Sequence, residues 1–590
     1  MAELILRTDP ALEAAFDRTV QADIAAFEVA ANDFNAGRLN ADEFRPHRLR
    51  RGVYTQRQEG VHMIRTKIPG GILTADQMDV LAECADEFAG GKGHLTTRQN
   101  MQYHFVPLAQ VPGILRKLAA GKLTTREACY NTVRNVTASP LSGLLADEVF
   151  DVQPYARQVA FAFLHKEAYD SMPRKFKIAF FTGGAKDDMA VAIHDAGCIA
   201  VMKDGQPGFR LVVGGGLGPM PVEAKVLDEF LPAGQLVPRI EAILRLFDKN
   251  GNRKNKNLAR LKFVLRDRGW DWVKENIELE YANILATGGV EIPTAIPENF
   301  AGFQPTPPPL GLGINLPVLG STVADPEFDR WLETNVEEQK QPGYSIITIR
   351  TNQGNLTSEQ MRGLGRVARD AGDSYVRVSI NQNAYLAYIP VHNLRRVYSA
   401  LRVLGLADAG AGEISDTLTC PGAYSCNLAL TKSMNLGAAL TESTRGYSDP
   451  LVKKLSIHIS GCPNSCGQHW TSDLGFFGNS RKINGREVPY YQMLLGGGYA
   501  SDGTMKFGLM IQSIPARSTT IAVDRVLNHY MTARVEGETF RDYVVRHKVA
   551  FFKEMTADLA KPLEVGDDMC TDWGDDVAYS LQLGRGECAS

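Results

Sequence analysis

Short runs in which apolar and polar residues alternate are followed along this chain by stretches of helical periodicity, and the same succession occurs twice. In the first half the strand-like run VHMIRTKI (residues 61–68) leads to the amphipathic stretch TADQMDVLAECADEFAG (74–90). A second strand-like run, LTTRQNMQYHFV (95–106), and a second helix, VPGILRKLAA (111–120), follow. The other half repeats the order with YSIITIRT (344–351), TSEQMRGLGRVARDAG (357–372), YVRVSINQNAYLAYI (375–389) and VHNLRRVYSALRVLG (391–405). Thr74 and Thr357 each stand before an acidic first turn and are predicted N-caps. Further strands, KFKIAFF (175–181) and LSIHIS (455–460), come later in each half, ahead of a glycine-rich run. Strands and helices joined by short loops predict an α/β chain built of compact α+β modules.

The halves also match residue by residue at an offset of about 283. IRTKIPGGILTADQM from Ile64 resembles IRTNQGNLTSEQM from Ile349; TTRQNMQYHFVP (96–107) stands opposite SINQNAYLAYIP (379–390), and VVGGG (212–216) opposite LLGGG (494–498). Three matches at nearly one offset imply an internal duplication. Between the halves, EIPTAIPENFAGFQPTPPPLGLG (291–313) has neither periodicity, and its three consecutive prolines, Pro307 to Pro309, favour an extended surface connector.

Composition narrows the field. A length of 590 residues implies several domains, and 44% hydrophobic with 22% charged residues is ordinary for a soluble globular chain. The net charge of −3 gives no general attraction to nucleic acid or an anionic membrane. The N-terminus lacks an apolar signal-peptide core, and no stretch approaches the eighteen apolar residues of a membrane span. Nine cysteines, five of them isolated (Cys84, Cys129, Cys198, Cys570, Cys588), are no disulfide framework. A reduced, cytoplasmic enzyme is expected.

The remaining four cysteines carry the strongest chemistry. Cys420 and Cys426 lie in TCPGAYSC, Cys462 and Cys466 in SGCPNSCGQH. Four soft thiolates in two short loops suit an iron–sulfur cluster or zinc, and the wide first spacing fits structural zinc poorly. By the repeat offset position 420 falls on Thr137, so the cysteine site exists once. The first half supplies cations instead: Arg65, Arg98, Arg134, Arg174, Lys175 and Lys177. On a strand Lys175 and Lys177 share a face, as do Arg98, Gln102 and His104. Gly214, Gly215 and Gly216 permit close approach of backbone to a flat ligand, or simply a tight turn. Arg260 and Lys262 could reach the same ligand or line a solvated strand. His469 is read as a hydrogen-bonded structural histidine rather than an iron ligand. GGGLG (214–218) does not open a helix with a following acid, so direct NAD(P)H binding is not expected.

A Cys-x5-Cys pair followed by Cys-x3-Cys within GCPNSCG resembles the sulfite/nitrite reductase hemoprotein family, over roughly residues 50 to 560 and including the duplication. The resemblance implies an internally duplicated, pseudo-two-fold, three-domain fold with ferredoxin-like half-domains. It divides the chain into an N-terminal extension (1–50), half-domains at 51–125 and 336–406, and a siroheme and substrate domain at 126–290. A proline-rich linker (291–335), a [4Fe–4S]/siroheme domain (407–560) and a C-terminal tail (561–590) complete it. It implies a [4Fe–4S] cluster on Cys420, Cys426, Cys462 and Cys466, the last shared with siroheme iron. It further implies Arg65, Arg134, Lys175 and Lys177 around a substrate anion, and Arg98, Gln102, His104, Arg174, Gly214 to Gly216, Arg260 and Lys262 around siroheme. Lysine at both positions of the Lys-x-Lys pair implies sulfite before nitrite. Electrons would come from ferredoxin, which GVYTQRQEG favours, or from a separate NADPH-flavoprotein subunit. Some members link a tyrosine to a cysteine two residues before the active-site arginine; Thr132 stands there, so Tyr54 is expected near the site but without that link.

Overall fold

The computed structural model describes residues 7–297, 305–311, 314, 316, 325–500, 502–562, 566–582, 584 and 587. The helices Ala75–Phe88 and Ser358–Ala371 begin at Thr74 and Thr357, whose hydroxyls each accept from a glutamine N–H three residues on at 3.1 Å. The same glutamines, Gln77 and Gln360, accept the cap N–H in return, closing a capping box in both halves.

The runs at 95–106 and 375–389 are hairpins rather than single strands. Lys92–Leu95 turns into Met101–Pro107, and Tyr375–Val378 into Ala384–Pro390. Hydroxyls force the turns: Thr96 Oγ1 accepts from Arg98 N and donates to Asn100 Oδ1, and Ser379 Oγ accepts from Asn381 N and Asn383 N. Gln99 and Gln382 there take positive φ, 52° and 67°. Arg98 therefore lies in a turn, not on one strand face with Gln102 and His104.

The two half-domains exchange a strand. Ile72–Thr74 pairs antiparallel with Tyr375–Val378 of the other half, and Asn355–Thr357 with Lys92–Leu95. Gly71 and Gly354, at φ +72° and +79°, precede the exchanged strands, and a Cβ on them would stand 2.6 Å from Val378 O and 2.4 Å from Leu95 O. The exchange merges both halves into one domain with one core, in which Leu81 and Ile114 pack with Leu364 and Val397.

Each large domain holds a five-stranded mixed sheet. The first runs Thr137–Ala138, Ile178–Phe181, Ala196–Lys203, Gln206–Val213 and Lys225–Pro232, three parallel strands followed by two antiparallel ones. The second repeats it with Leu418–Thr419, Ile457–Ser460, Leu474–Ile483, Arg486–Leu495 and Leu509–Pro515. Each domain has its own core, around Phe180 and Ile243 in one and Phe476 and Val526 in the other. The turn glutamines tie the central domain to both sheets: Gln99 Oε1 accepts from Ala138 N and Gln382 Oε1 from Thr419 N, each at 3.0 Å. Residues 305–311 run without regular structure, whereas the end of the proline-rich segment forms the helix Pro326–Asn335 around the fully buried Trp331. Among the described residues no helix is long and apolar enough to cross a membrane.

Sheet register corrects the partner of Cys420. Cys420 N donates to Ile459 O as Ser139 N donates to Phe180 O, so the duplicate position is Ser139, two residues beyond Thr137. The offset fails because the loops differ in length. Ser139 Oγ donates to Asp188 Oδ2 at 2.6 Å, and Asp188 Oδ1 is buried without a hydrogen-bond partner. Burial, with Asp187 adding, pushes the Asp188 carboxyl up to about 7. A carboxyl raised on folding stabilises the fold below its unfolded pKa, and that stability is lost as pH rises through the folded one. Asp188→Asn should therefore stabilise the protein at pH 8 by on the order of 1–3 kcal/mol, with little gain at pH 4. Thermal unfolding at both pH values checks it; an equal shift at both would refute the assignment.

Candidate active site

The cysteine loops hang from the parallel edge of the second large sheet. Cys420 follows Leu418–Thr419, and Cys462 and Cys466 follow Ile457–Ser460. Close packing explains the glycines of the second loop: a Cβ on Gly461 would meet Gly422 Cα at 2.8 Å, and one on Gly467 would meet Ile459 O at 2.0 Å. Cys420 Sγ accepts from Gly461 N at 3.2 Å and lies 3.4 Å from Ser433 Oγ. Burial raises the Cys462 thiol first, and then the charges of Cys466, Cys426 and Cys420 add to it, so the four sulfurs are neighbours. Among the described residues no three ligand side chains are gathered closely enough for a single metal ion. Four neighbouring thiols with a backbone N–H on one sulfur are a donor set that suits an iron–sulfur cluster.

The cation group of the first half faces the same place. Thr97 Oγ1, in the 96–100 turn, donates to Cys466 O at 3.0 Å. Lys175 and Lys177 flank the fully buried Phe176, whose bridge to Val133 holds the segment extended. Burial drives the Lys177 pKa well down, and Arg98, Arg260 and Lys175 drive it further, while Cys466 opposes them. Burial also takes Arg98 down to about 9, with Arg134, Arg260 and Arg65 adding. Asp195, fully buried, is the acid in this set: it accepts from Lys177 N at 2.9 Å and Arg260 Nη2 at 2.8 Å. Among the described residues, six buried or half-buried cations (Arg65, Arg98, Arg134, Lys175, Lys177 and Arg260) stand with the Asp195 carboxylate, an excess of positive charge that suits anions.

Arg134 is set by its own loop. Its Nε donates to Tyr130 O at 2.9 Å, Nη1 to Ala128 O at 3.0 Å and Nη2 to Tyr54 Oη at 3.2 Å. Arg65 lies over the Tyr54 ring at 5.7 Å and, with the amide of Gln102 oriented by its neighbours, donates from Nε to Gln102 Oε1 at 2.8 Å. Both ring nitrogens of His104 are buried without a partner, beside His94 and the cluster-loop Tyr424, and burial lowers its pKa to about 3.

Several expectations shift. Arg260 and Lys262 are not on a strand: Arg260 caps the helix Leu261–Arg268, and Lys262 Nζ donates to Leu217 O at 3.0 Å, so both buttress the glycine loop from inside. The side-chain positions of that loop are taken by protein, since a Cβ on Gly214 would meet Leu265 at 2.1 Å and one on Gly215 would meet Ala192 O at 2.2 Å. Arg174 lies half-buried beside Lys175, close enough to lower Lys256 after burial has done so. His469 is fully buried, with its ring tilted against that of Phe477 at 4.8 Å, and neither ring nitrogen has a hydrogen-bond partner among the described residues, so the hydrogen bond expected of it is not made. The thiol near Tyr54 belongs to Cys129, which shares a small buried cluster with Tyr54, Leu49 and Met63; Thr132 turns to the Glu127 and Cys129 carbonyls instead. Asp195, Thr97 and Cys129 carry no spacing signal, and only the tertiary fold brings them in. Cys588 lies outside the described residues.

The arrangement is a duplicated α/β fold in which one group of four cysteine thiols faces a set of basic residues. The description "Nitrite and sulphite reductase 4Fe-4S domain" matches residues 129–285 and 410–562, and "Nitrite/Sulfite reductase ferredoxin-like half domain" matches 54–121 and 337–404. The chain belongs to the nitrite and sulphite reductase family, an oxidoreductase family whose cofactors are a [4Fe–4S] cluster and siroheme. It is 26% identical over 518 residues to sulfite reductase [ferredoxin] 1 of Mycolicibacterium paratuberculosis, covering 84% of this chain and 87% of that one. It is 29% identical over 462 residues to ferredoxin–nitrite reductase of Synechococcus elongatus, covering 77% and 83%. The solved structure of the Mycobacterium tuberculosis NirA protein superposes with a TM-score of 0.73 at 25% identity, covering 87% of this chain and 92% of that one. The residues fit both groups: four neighbouring thiols for the cluster, and excess buried cations with an unpartnered His104 for an acidic macrocycle.

Proposed function

We propose that this chain is a cytoplasmic, ferredoxin-dependent assimilatory sulfite reductase. Reduction of sulfite to sulfide takes six electrons and expels three oxygens as water, so each S–O bond must be protonated as it breaks. Siroheme and the cluster, when bound on the residues above, supply the electron path. Arg65 and Arg134 hold the oxyanion by forked hydrogen bonds and keep their own protons. Lys175 and Lys177 give protons, because burial and cationic neighbours make the Lys177 ammonium a readier acid than one in water. The observation that carries the sulfite reading is Lys177 itself, a second ammonium directed at the Cys466 side of the site. Ferredoxin as donor rests on relatives named for it.

Nitrite is the second reading, since it needs the same six electrons and a relative this similar is named for it. Turnover of both anions with reduced ferredoxin decides between them. Lys177→Asn should lower sulfite kcat/KM about 10²-fold, the usual worth of a positioned general acid, and nitrite kcat/KM by less. Equal losses would remove the selectivity role. A purified protein without haem absorption and without iron would overturn the reading altogether.

A further inference from the structure

The match to the cluster-domain description ends at residue 562, yet the chain beyond it is built into the active-site half. Described residues beyond 562 bond to the segment 427–432 that follows Cys426. Asp572 Oδ2 accepts from Lys432 N at 2.7 Å, Tyr579 Oη donates to Leu430 O at 2.9 Å, and Gly584 N donates to Asn427 O at 3.1 Å. Asn427 reaches on to Thr55 Oγ1 at 3.3 Å.

The tail then closes on an edge strand. Val53–Thr55 is the outermost strand of its sheet, so its outer backbone groups need partners from elsewhere. Glu587 Oε2 accepts from Thr55 N at 2.9 Å and from Arg48 Nη1 at 2.7 Å, and its other oxygen takes Arg48 Nη2. Arg48 Nη1 in turn donates to Val53 O at 3.3 Å. The paired side chains are only 9% and 6% exposed, which makes this fork a desolvated, charge-assisted contact rather than a surface ion pair. Between the two clasped residues stands Tyr54, whose hydroxyl takes the Arg134 guanidinium and whose ring lies under Arg65. One carboxylate from the end of the chain thus fixes both sides of the residue on which both oxyanion-binding arginines rest.

We infer that Glu587 is a positioning residue for substrate-anion binding, acting through Arg48, Val53 and Thr55 on Tyr54 and thence on Arg134 and Arg65. The inference rests on the reading of those arginines as the oxyanion clamp. It differs from a general stabilising role, because the tail is anchored independently at Asp572 and Tyr579 and a change at position 587 leaves those anchors in place.

Steady-state kinetics of the holoenzyme with sulfite and with nitrite test it, in wild type, Glu587→Gln and Glu587→Ala. Glutamine keeps one oxygen, which can accept from Thr55 N and Arg48 Nη1, but removes the charge and loses the second acceptor for Arg48 Nη2; alanine removes all of it. The expected result is a KM rise for both anions of about tenfold for alanine and less for glutamine, with kcat within about twofold and haem absorbance per protein unchanged. Unchanged KM in both variants overturns the inference, and so does a parallel loss of kcat and haem absorbance. Should wild type prefer nitrite, the sulfite reading fails on that measurement alone, and the KM split for nitrite still decides the role of Glu587.

Discussion

Cys466→Ser should abolish turnover of both sulfite and nitrite, by on the order of 10³-fold or more, while leaving the fold intact. If Cys466 serves both the cluster and siroheme, as the family resemblance implies, a serine oxygen, hard and weak where soft thiolate is needed, would loosen both. The backbone of the loop is set independently of the thiol: Thr97 Oγ1 holds the Cys466 carbonyl, Gly467 N donates to Ser460 Oγ, and Ser465 and Gln468 hold positive φ of 58° and 56°. Far-UV circular dichroism should therefore match wild type, whereas iron content and haem absorption fall. Cys570→Ser is the control, since Cys570 is buried in a small cluster with Val488 and Tyr490 and is not one of the four paired cysteines. Retention of more than a tenth of wild-type turnover by Cys466→Ser would exclude a shared ligand at this position.

Arg134→Ala should lower kcat/KM for both anions by roughly 10²–10³-fold, expressed chiefly in KM. Three of the donors of Arg134 already fix its plane through the Ala128 and Tyr130 carbonyls and the Tyr54 hydroxyl, so the group is oriented before an anion arrives. Truncation removes the charge and also strands those three acceptors in a site where Arg134 is only 5% exposed. The stranding should add a stability loss of about 1–3 kcal/mol. Arg134→Lys separates the two effects: the charge stays, the fork is lost, and kcat/KM should recover only in part. Full recovery with lysine, measured alongside urea unfolding, would show that charge without geometry suffices.

The legible and illegible parts of the site divide along a physical line. The two capping-box helices are local, since Thr74 and Thr357 need only the residues three places on, and alternation with helical periodicity marks them in the sequence. The hairpin turns at 96–100 and 379–383 are hidden in the sequence because threonine, serine and arginine continue an alternating pattern that the Thr96 and Ser379 hydroxyls interrupt. Arg98 consequently moved off the strand face. Lys175 and Lys177 kept their common direction because Phe176 between them is buried, which the pattern alone implies.

The sequence by itself determined the chemistry and the count: four paired cysteines, one basic half, one duplication, and the family to which these belong. Local residue types suffice for that, because ligand softness and charge do not depend on the fold. Tertiary structure decided the neighbours. The strand exchange at Gly71 and Gly354, the register that sets Ser139 opposite Cys420, Asp195 between Lys177 and Arg260, Cys129 beside Tyr54, and Glu587 on Arg48 all join residues far apart in the chain. Such contacts depend on loop lengths and sheet register, which no periodicity along the chain encodes.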